Sequence, residues 1–263
     1  MCNPQCIEFV RAGLTREEVE GRRVLEVGAL VVNGSVRPVV EALGPASYLG
    51  VDLTEGPGVD HVCAAEKLIA EFGDASFDIL VSTEMIEHVV DWRAVIHNFK
   101  RVVRPGGIIM VTTRSPGFPF HSFPDDHWRF EAKDMRVIFA DGSIELLESD
   151  QPEDPGIFVK VRMPPALDEL DLEGYALHSM AAGRRIGSVE EAERLAILER
   201  AVAEAQEEVA RERSSSAEEL SRAETELQSL RATKTFVYSA ALRHAYGKFR
   251  HRNGAARGRV DAT

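Results

Sequence analysis

From residue 1 to about residue 150, short continuous apolar runs alternate with amphipathic stretches. Arg23–Val27 (RVLEV), Ser47–Asp52 (SYLGVD), residues 77–82 (FDILVS) and residues 107–113 (GIIMVTT) read as strands bounded by Gly, Asp or Pro. Residues 35–43, 65–72 and 91–103 read as helices between them; in the last, Trp92, Val95, Ile96, Phe99 and Val103 recur at three- and four-residue spacings. Strands apolar on both faces and linked by helices build a parallel sheet, so the pattern predicts a doubly wound α/β domain. Residues 144–148 and 157–162 read as two later strands joined by a Pro-rich loop, suited to an antiparallel edge.

Beyond the Pro-rich stretch the pattern changes in kind. Residues 190–231 contain no Pro or Gly and set twelve acidic side chains against six arginines, which predicts a long, solvated, net negative helix. Leu195, Leu198, Val202, Ala205 and Val209 keep a 3/4 spacing. Leu220, Ala223, Leu227 and Leu230 resume it after a four-residue phase shift, interrupted at Ser214 to Ser216. Such a seam predicts a coiled coil between copies of the chain; a lone charged helix packing back on the domain is the alternative. Residues 236–259 then combine Phe236, Val237, Tyr238, Leu242, Tyr246 and Phe249 with Arg243, Lys248, Arg250, Arg252, Arg257 and Arg259. This basic amphipathic tail suits an anionic membrane surface or a partner protein, with a solubilising tail as the plain alternative. The organisation expected is a first domain over residues 1–165, a linker over 166–189, a coiled-coil helix over 190–232 and the basic tail over 233–263.

Composition narrows the class. In 263 residues that are 44% hydrophobic and 28% charged there is enough apolar material for a sizeable core. No run is long and apolar enough for a membrane span, and the first residues lack a basic-then-apolar leader pattern, so a cytoplasmic chain is expected. Cys2, Cys6 and Cys63 are too few and too scattered for a disulfide framework. A net charge of −12 argues against a nucleic-acid partner.

The chemistry concentrates at strand ends. A strand ending in Glu26-x-Gly28 and running through a Gly-containing turn brings backbone N–H groups close to a ligand, and Asp52 at the end of the second strand stands where a carboxylate accepts from ribose hydroxyls. Together they predict a nucleoside-bearing cofactor. The phosphate fingerprint G-x-G-x-x-G is absent, since Gly28 is followed by Ala29, Leu30, Val31, Val32, Asn33 and Gly34.

The ordered series Glu26-x-Gly28, Asp52, FDILVSTEMIEHV (residues 77–89) and RPGG (residues 104–107) resembles the class I S-adenosylmethionine-dependent methyltransferases, in particular those whose fourth strand runs into E-x-x-E-H. The resemblance implies a mainly parallel seven-stranded sheet of the Rossmann-like methyltransferase kind, followed here by the long helix, and S-adenosylmethionine as cofactor. It implies that Glu26 and Gly28 border the methionine portion, that Asn33 and Gly34 complete the glycine motif, that Asp52 holds the ribose, that Ala65 and Glu66 flank the adenine, and that Glu84 lines the same cleft. Two departures stand out: GALVVNG replaces the usual shorter glycine turn, and Ala64 stands where relatives often place an acid.

A hydroxyl acceptor profits from a base, and His88, at the end of the fourth strand, is the first choice; an anchoring role for the following helix is the alternative. Glu84, Glu87 and His88 also present two carboxylates and an imidazole on one turn, a set that some relatives of this resemblance use for a divalent ion. Since Mg²⁺ wants further oxygen ligands, a metal-free site is the expectation, with a metal at this set as the alternative. The segment RSPGFPFHSFPDDHWRF (residues 114–130) reads as the acceptor loop, with His127, Asp125 and Asp126 as contacts and Trp128 and Phe130 as packing residues. The activity expected is O-methylation of a sugar, polysaccharide-linked or other small hydroxyl acceptor, in a homo-oligomer held by residues 190–232 with its basic tail at the inner face of a membrane or on a protein partner. The alternative is a methyltransferase-like scaffold that recruits partners in glycan assembly.

Overall fold

A computed structural model describes residues 3–121, 125–149 and 154–257. Phe123 of the acceptor loop, Gln151 to Glu153 and the tail from Gly258 on, including Arg259, lie outside the described residues. So do the side chains of Leu195, Leu198, Phe236, Phe249, Arg250, Arg252 and Arg257.

The chain opens with α1 (Pro4–Gly13) and α2 (Arg16–Val19). Pro4 occupies the first turn of α1, where its missing N–H costs nothing, and Asn3 caps the helix by accepting from the Cys6 N–H over 2.9 Å. Then come β1 (Arg23–Val27), α3 (Arg37–Glu41), β2 (Ser47–Asp52), β3 (His61–Val62), α4 (Leu68–Phe72), β4 (Phe77–Thr83), α5 (Trp92–Val102) and β5 (Val103–Arg114). After these follow β6 (Trp128–Arg129), α6 (Ala132–Ile138), β7 (Ser143–Ser149), β8 (Gly156–Arg162), β9 (Leu177–Ser179) and β10 (Arg184–Ile186). The long α7 (Val189–Ala232) and α8 (Lys234–Arg257) end the described chain.

Seven strands form one sheet in the order β3-β2-β1-β4-β5-β8-β7. The first five are parallel, while β8 pairs antiparallel with both β5 and β7, the expected antiparallel edge. Because β1 lies between β2 and β4, the strand order reverses at β1, and a sheet of this kind opens a crevice at the carboxyl ends of the strands there. Register fixes what lines that rim: Val27 is opposite both Val51 and Ser82, and Thr83 is opposite Thr112, so Gly28, Asp52 and Glu84 emerge side by side.

Each face of the sheet carries its own core. Leu25, Val27, Leu80, Ile109 and Val111 pack with Trp92, Val95, Ile96 and Phe99 of α5 and with Met135 and Ile138 of α6. Val24, Ile79, Val81 and Met110 pack with Phe9 and Val10 of α1 and with Val36 and Val40 beside and within α3.

The stretch expected as a linker, 166–189, contains β9 and β10, which join β6 in a second, three-stranded sheet. The physical reason is burial: Leu177 and Ile186 belong to the main core, and Arg93 of α5 donates to the carbonyls of Leu172, Tyr175 and Gly187. The first compact unit accordingly runs to Ala196. The second, from Ile197 on, is helical; its apolar seam is exposed at Val202, Val209, Leu220, Leu227 and Leu230. Among the described residues no helix is long and apolar enough to cross a membrane.

Candidate functional site

The crevice at the rim is a cavity of about 320 Å³, toward the small end of ligand pockets. Gly28, Asp52, Ala65, Glu66, Glu84 and His88, all anticipated from sequence, line it, together with Leu30, Leu53 and Met85.

Gly28 has φ +81°, a left-handed conformation that favours glycine, and a Cβ there would lie 2.8 Å from Met85. Its N–H, and that of Ala29, donate to the Val51 carbonyl over 3.0 Å, which folds the turn back across β2. Asp52 closes that turn: Oδ2 accepts from the Leu30 N–H over 3.1 Å and Oδ1 from the Thr54 N–H over 3.4 Å. The departure at GALVVNG therefore leaves the cavity open, with Leu30 as part of its wall. Ala65 and Glu66 reach the cavity from a single 3-10 turn ahead of α4. Asn98 of α5 secures that turn by donating to the Glu66 carbonyl over 2.9 Å.

Glu26 points elsewhere. It is buried on β1, outside the cavity lining, and accepts from the Tyr48 hydroxyl over 2.7 Å. Burial pushes its carboxyl up to about 7, against the Tyr48 hydrogen bond and the nearby Arg37. Asn33 and Gly34 lie in the loop between β1 and α3 and do not line the cavity either.

On the acceptor-loop side, Glu84, directly after β4, has a left-handed backbone conformation, φ +51°, unusual for a residue with a side chain and of the kind that collects at functional sites. Its carboxylate forms an ion pair with Arg114 and accepts from Thr112 Oγ1 over 3.0 Å, with the Cys6 thiol 3.6 Å away. Burial, then the Glu87 carboxylate and Cys6, push Glu84 well above the usual carboxyl range against the pull of Arg114. The E-x-x-E-H spacing therefore does not deliver one converging set: Glu84 turns to Arg114, while Glu87 accepts from Thr113 Oγ1 over 2.8 Å. The third member of a cluster with Glu87 and His88 is His121 of the acceptor loop, their ligand-type atoms all lying within 4.8 Å of one another. Such a set is able to present three ligand atoms to an ion, two of them nitrogens, a poor match to the oxygen shell of Mg²⁺.

His88 uses Nδ1 on the Asp125 carbonyl and turns Nε2 toward Glu87 Oε1, 3.8 Å away. His127 is tied by its backbone, donating to the Glu87 carbonyl over 3.0 Å and accepting from the Met180 N–H over 2.9 Å. Its ring is not part of the cavity wall. Trp128 and Phe130 are fully buried packing residues. Sequence reasoning missed Arg114 as the partner of Glu84, and it passed over His121; the only local signal for the latter is the His121-to-Asp126 spacing within one loop.

Residues 25–111 match a family model described as a methyltransferase domain. The chain is 31% identical over 123 residues to the ubiquinone biosynthesis O-methyltransferase of Idiomarina loihiensis and 32% identical over 121 residues to that of Rhizobium etli, covering 41% of this chain in each case. These matches span 49% and 47% of the relatives, so the chain spans about half the length of the curated proteins it resembles. Among solved structures, the 1,6-didemethyltoxoflavin-N1-methyltransferase of Burkholderia thailandensis aligns with a TM-score of 0.51 at 15% identity, over 60% of this chain and 78% of that one, a likeness of fold.

Proposed function

We propose, from the match of residues 25–111 to a methyltransferase-domain model and the likeness to O-methyltransferases, that the chain is a class I S-adenosylmethionine-dependent methyltransferase that transfers a methyl group from S-adenosylmethionine to a sugar, polysaccharide-linked or other small hydroxyl acceptor. One observation carries the reading: a single cavity at the reversal point of the sheet gathers Gly28, Asp52, Ala65, Glu66, Glu84 and His88. The residues present fit an adenosine-bearing donor. Asp52 offers a carboxylate where ribose hydroxyls need an acceptor, and Leu53, Ala65 and Leu30 offer apolar walls for the base. A sulfonium donor supplies an already activated methyl group, so the protein's share is to hold, orient and deprotonate the acceptor.

The two curated relatives similar in sequence are ubiquinone biosynthesis O-methyltransferases, which favours oxygen as the acceptor atom. The acceptor loop adds Phe118 and Phe120 beside His121, an aromatic and polar mixture suited to a ring-bearing substrate. Self-association through α7, and contact of the basic α8 with a partner or with the inner face of a membrane, complete the proposal for a cytoplasmic chain.

Calorimetric titration of the full chain with S-adenosylmethionine tests it. Micromolar binding is expected, and Asp52→Ala should weaken it at least about tenfold, the scale of one lost charge-assisted hydrogen bond. A folded chain that takes up no S-adenosylmethionine would favour the scaffold reading instead.

A further inference from the structure

The acceptor loop holds an imidazole that the reaction above has not used. His121 is fixed at two atoms by Asp126: its backbone N–H donates to Asp126 Oδ2 over 2.8 Å, and its ring Nδ1 lies 3.1 Å from the same oxygen. Asp126 is held from behind. Its side chain is wholly buried against the equally buried guanidinium of Arg129, which pairs with Oδ1 and donates to Oδ2 over 2.7 Å. Arg129 also donates to the Pro119 carbonyl over 3.0 Å and to the Phe118 carbonyl over 3.4 Å, so both limbs of the loop close on one cation.

A carboxylate opposite Nδ1 makes that nitrogen the protonated one in the neutral ring and leaves the Nε2 lone pair as acceptor. The ring is held edge-on by His88, at 4.8 Å between centroids, and by Phe118, at 5.1 Å. His88 lines the cavity; His121 is outside that lining and packs against the His88 ring from the acceptor loop. The two imidazoles differ in what remains available. Neither Nε2 has a hydrogen-bond partner among the described residues, but that of His88 is buried facing Glu87 Oε1 at 3.8 Å on a side chain only 6% exposed, with Nδ1 on a carbonyl, whereas His121 keeps 18% exposure and has a carboxylate at Nδ1.

We propose that His121 is the general base of methyl transfer, with Asp126 as its positioning residue. The assignment rests on the hydroxyl-acceptor reading above. As the acceptor oxygen bonds to the methyl carbon and the carbon–sulfur bond leaves its electron pair on sulfur, the hydroxyl proton passes to His121 Nε2. The positive charge lost at sulfur is then carried by an imidazolium beside Asp126. The titratable groups facing His121 are Asp126 and Arg129 on the loop side and His88 and Glu87 on the β4 side. Burial holds the ring below its ordinary range, with His88 and Arg129 adding to the fall and Asp126 and Glu87 opposing it. Burial raises Asp126, but Arg129 and the His121 N–H more than offset it, so the carboxylate stays ionised.

Two measurements on the full chain decide the matter. Nitrogen-15 spectra of histidine-labelled protein with S-adenosylhomocysteine should show His121 neutral at pH 7 with its proton on Nδ1, and Asp126→Asn should abolish that tautomer preference. A His121 that is cationic at pH 7, or protonated on Nε2, overturns the assignment. The second measurement uses catechol and 4-nitrocatechol as probe acceptors at pH 8, where the nitro compound's hydroxyl is already ionised. His121→Gln should lower kcat for catechol about 100-fold, with a loss at least roughly tenfold smaller for 4-nitrocatechol and unchanged affinity for S-adenosylhomocysteine. Equal losses, no loss, or activity abolished by a chelator and restored by Mg²⁺ overturns it. A chain that does not bind S-adenosylhomocysteine sinks the methyltransferase reading, and spectra recorded without it still decide the dyad.

Discussion

Glu26 and Gly28 stand two positions apart on one strand, and the fold uses them for different ends. Gly28 serves the cavity, whereas Glu26 is sealed under Tyr48 with its carboxyl raised to about 7. An unfolded chain returns Glu26 to its ordinary value of 4.5, so the two states bind protons differently between those limits. The sign follows directly. Below the lower value both states are protonated; as pH rises the unfolded chain releases its proton first, and stability contributed by the neutral carboxyl is lost by the time pH passes 7. The loss is at most about 3 kcal/mol. Glu26→Gln keeps an oxygen for the Tyr48 hydroxyl and cannot ionise, so its melting temperature should match the parent at pH 5 and exceed it at pH 8. An equal offset at both pH values would refute the account. Sequence showed that Glu26-x-Gly28 and Asp52 belong at a strand rim, because strand periodicity and glycine's backbone freedom are local. It did not show that Glu26 faces Tyr48, since a buried hydrogen bond between β1 and β2 is a property of register.

At the scale of elements, α5 was legible and α1 was not. Trp92, Val95, Ile96, Phe99 and Val102 are all fully buried, and Asp91 caps the helix by accepting from the Ala94 N–H over 3.0 Å. The three- and four-residue spacing of those apolar positions is the stripe a helix presents to a sheet. Phe99→Ala should therefore cost about 3–5 kcal/mol in a denaturant titration, and a loss below about 1 kcal/mol would mean the helix does not anchor that layer. Lys100, on the same helix, was illegible: its ammonium is buried and pairs with Asp141 at 2.5 Å while donating to the Ile138 carbonyl, partners forty residues away in sequence. The acceptor loop obeys the same distinction. Its aromatic content was visible, but the convergence of Phe118, Pro119 and Asp126 on Arg129, and with it the approach of His121 to His88, depends on contacts that β6, β9 and the turn after β4 create together. Short β9 and β10 carry no periodicity of their own and form because Leu177 and Ile186 find a core already built.

Over the whole molecule, charge divides along the chain more sharply than the net value suggests. The α7 segment carries twelve acidic residues against six arginines, while α8 carries six lysines and arginines and no acid. A 44-residue helix with an alternating charged surface gains little from intrinsic propensity alone, because most helical stability in proteins comes from packing an apolar face. In the second unit that face is exposed, by 63% at Leu220 and 56% at Leu230. A second copy of α7 offers the matching seam, and the 3/4 spacing on either side of Ser214 to Ser216 is the repeat that knobs-into-holes packing needs. Sedimentation velocity of the full chain should therefore give a dimer or trimer mass. Replacing Leu220 and Leu227 together by Glu places like charges on the seam, and should return the chain to a monomer while leaving the calorimetric affinity for S-adenosylmethionine unchanged. A parent chain that sediments as a monomer, or an assembly that survives the double substitution, would show that the seam is not what joins the copies.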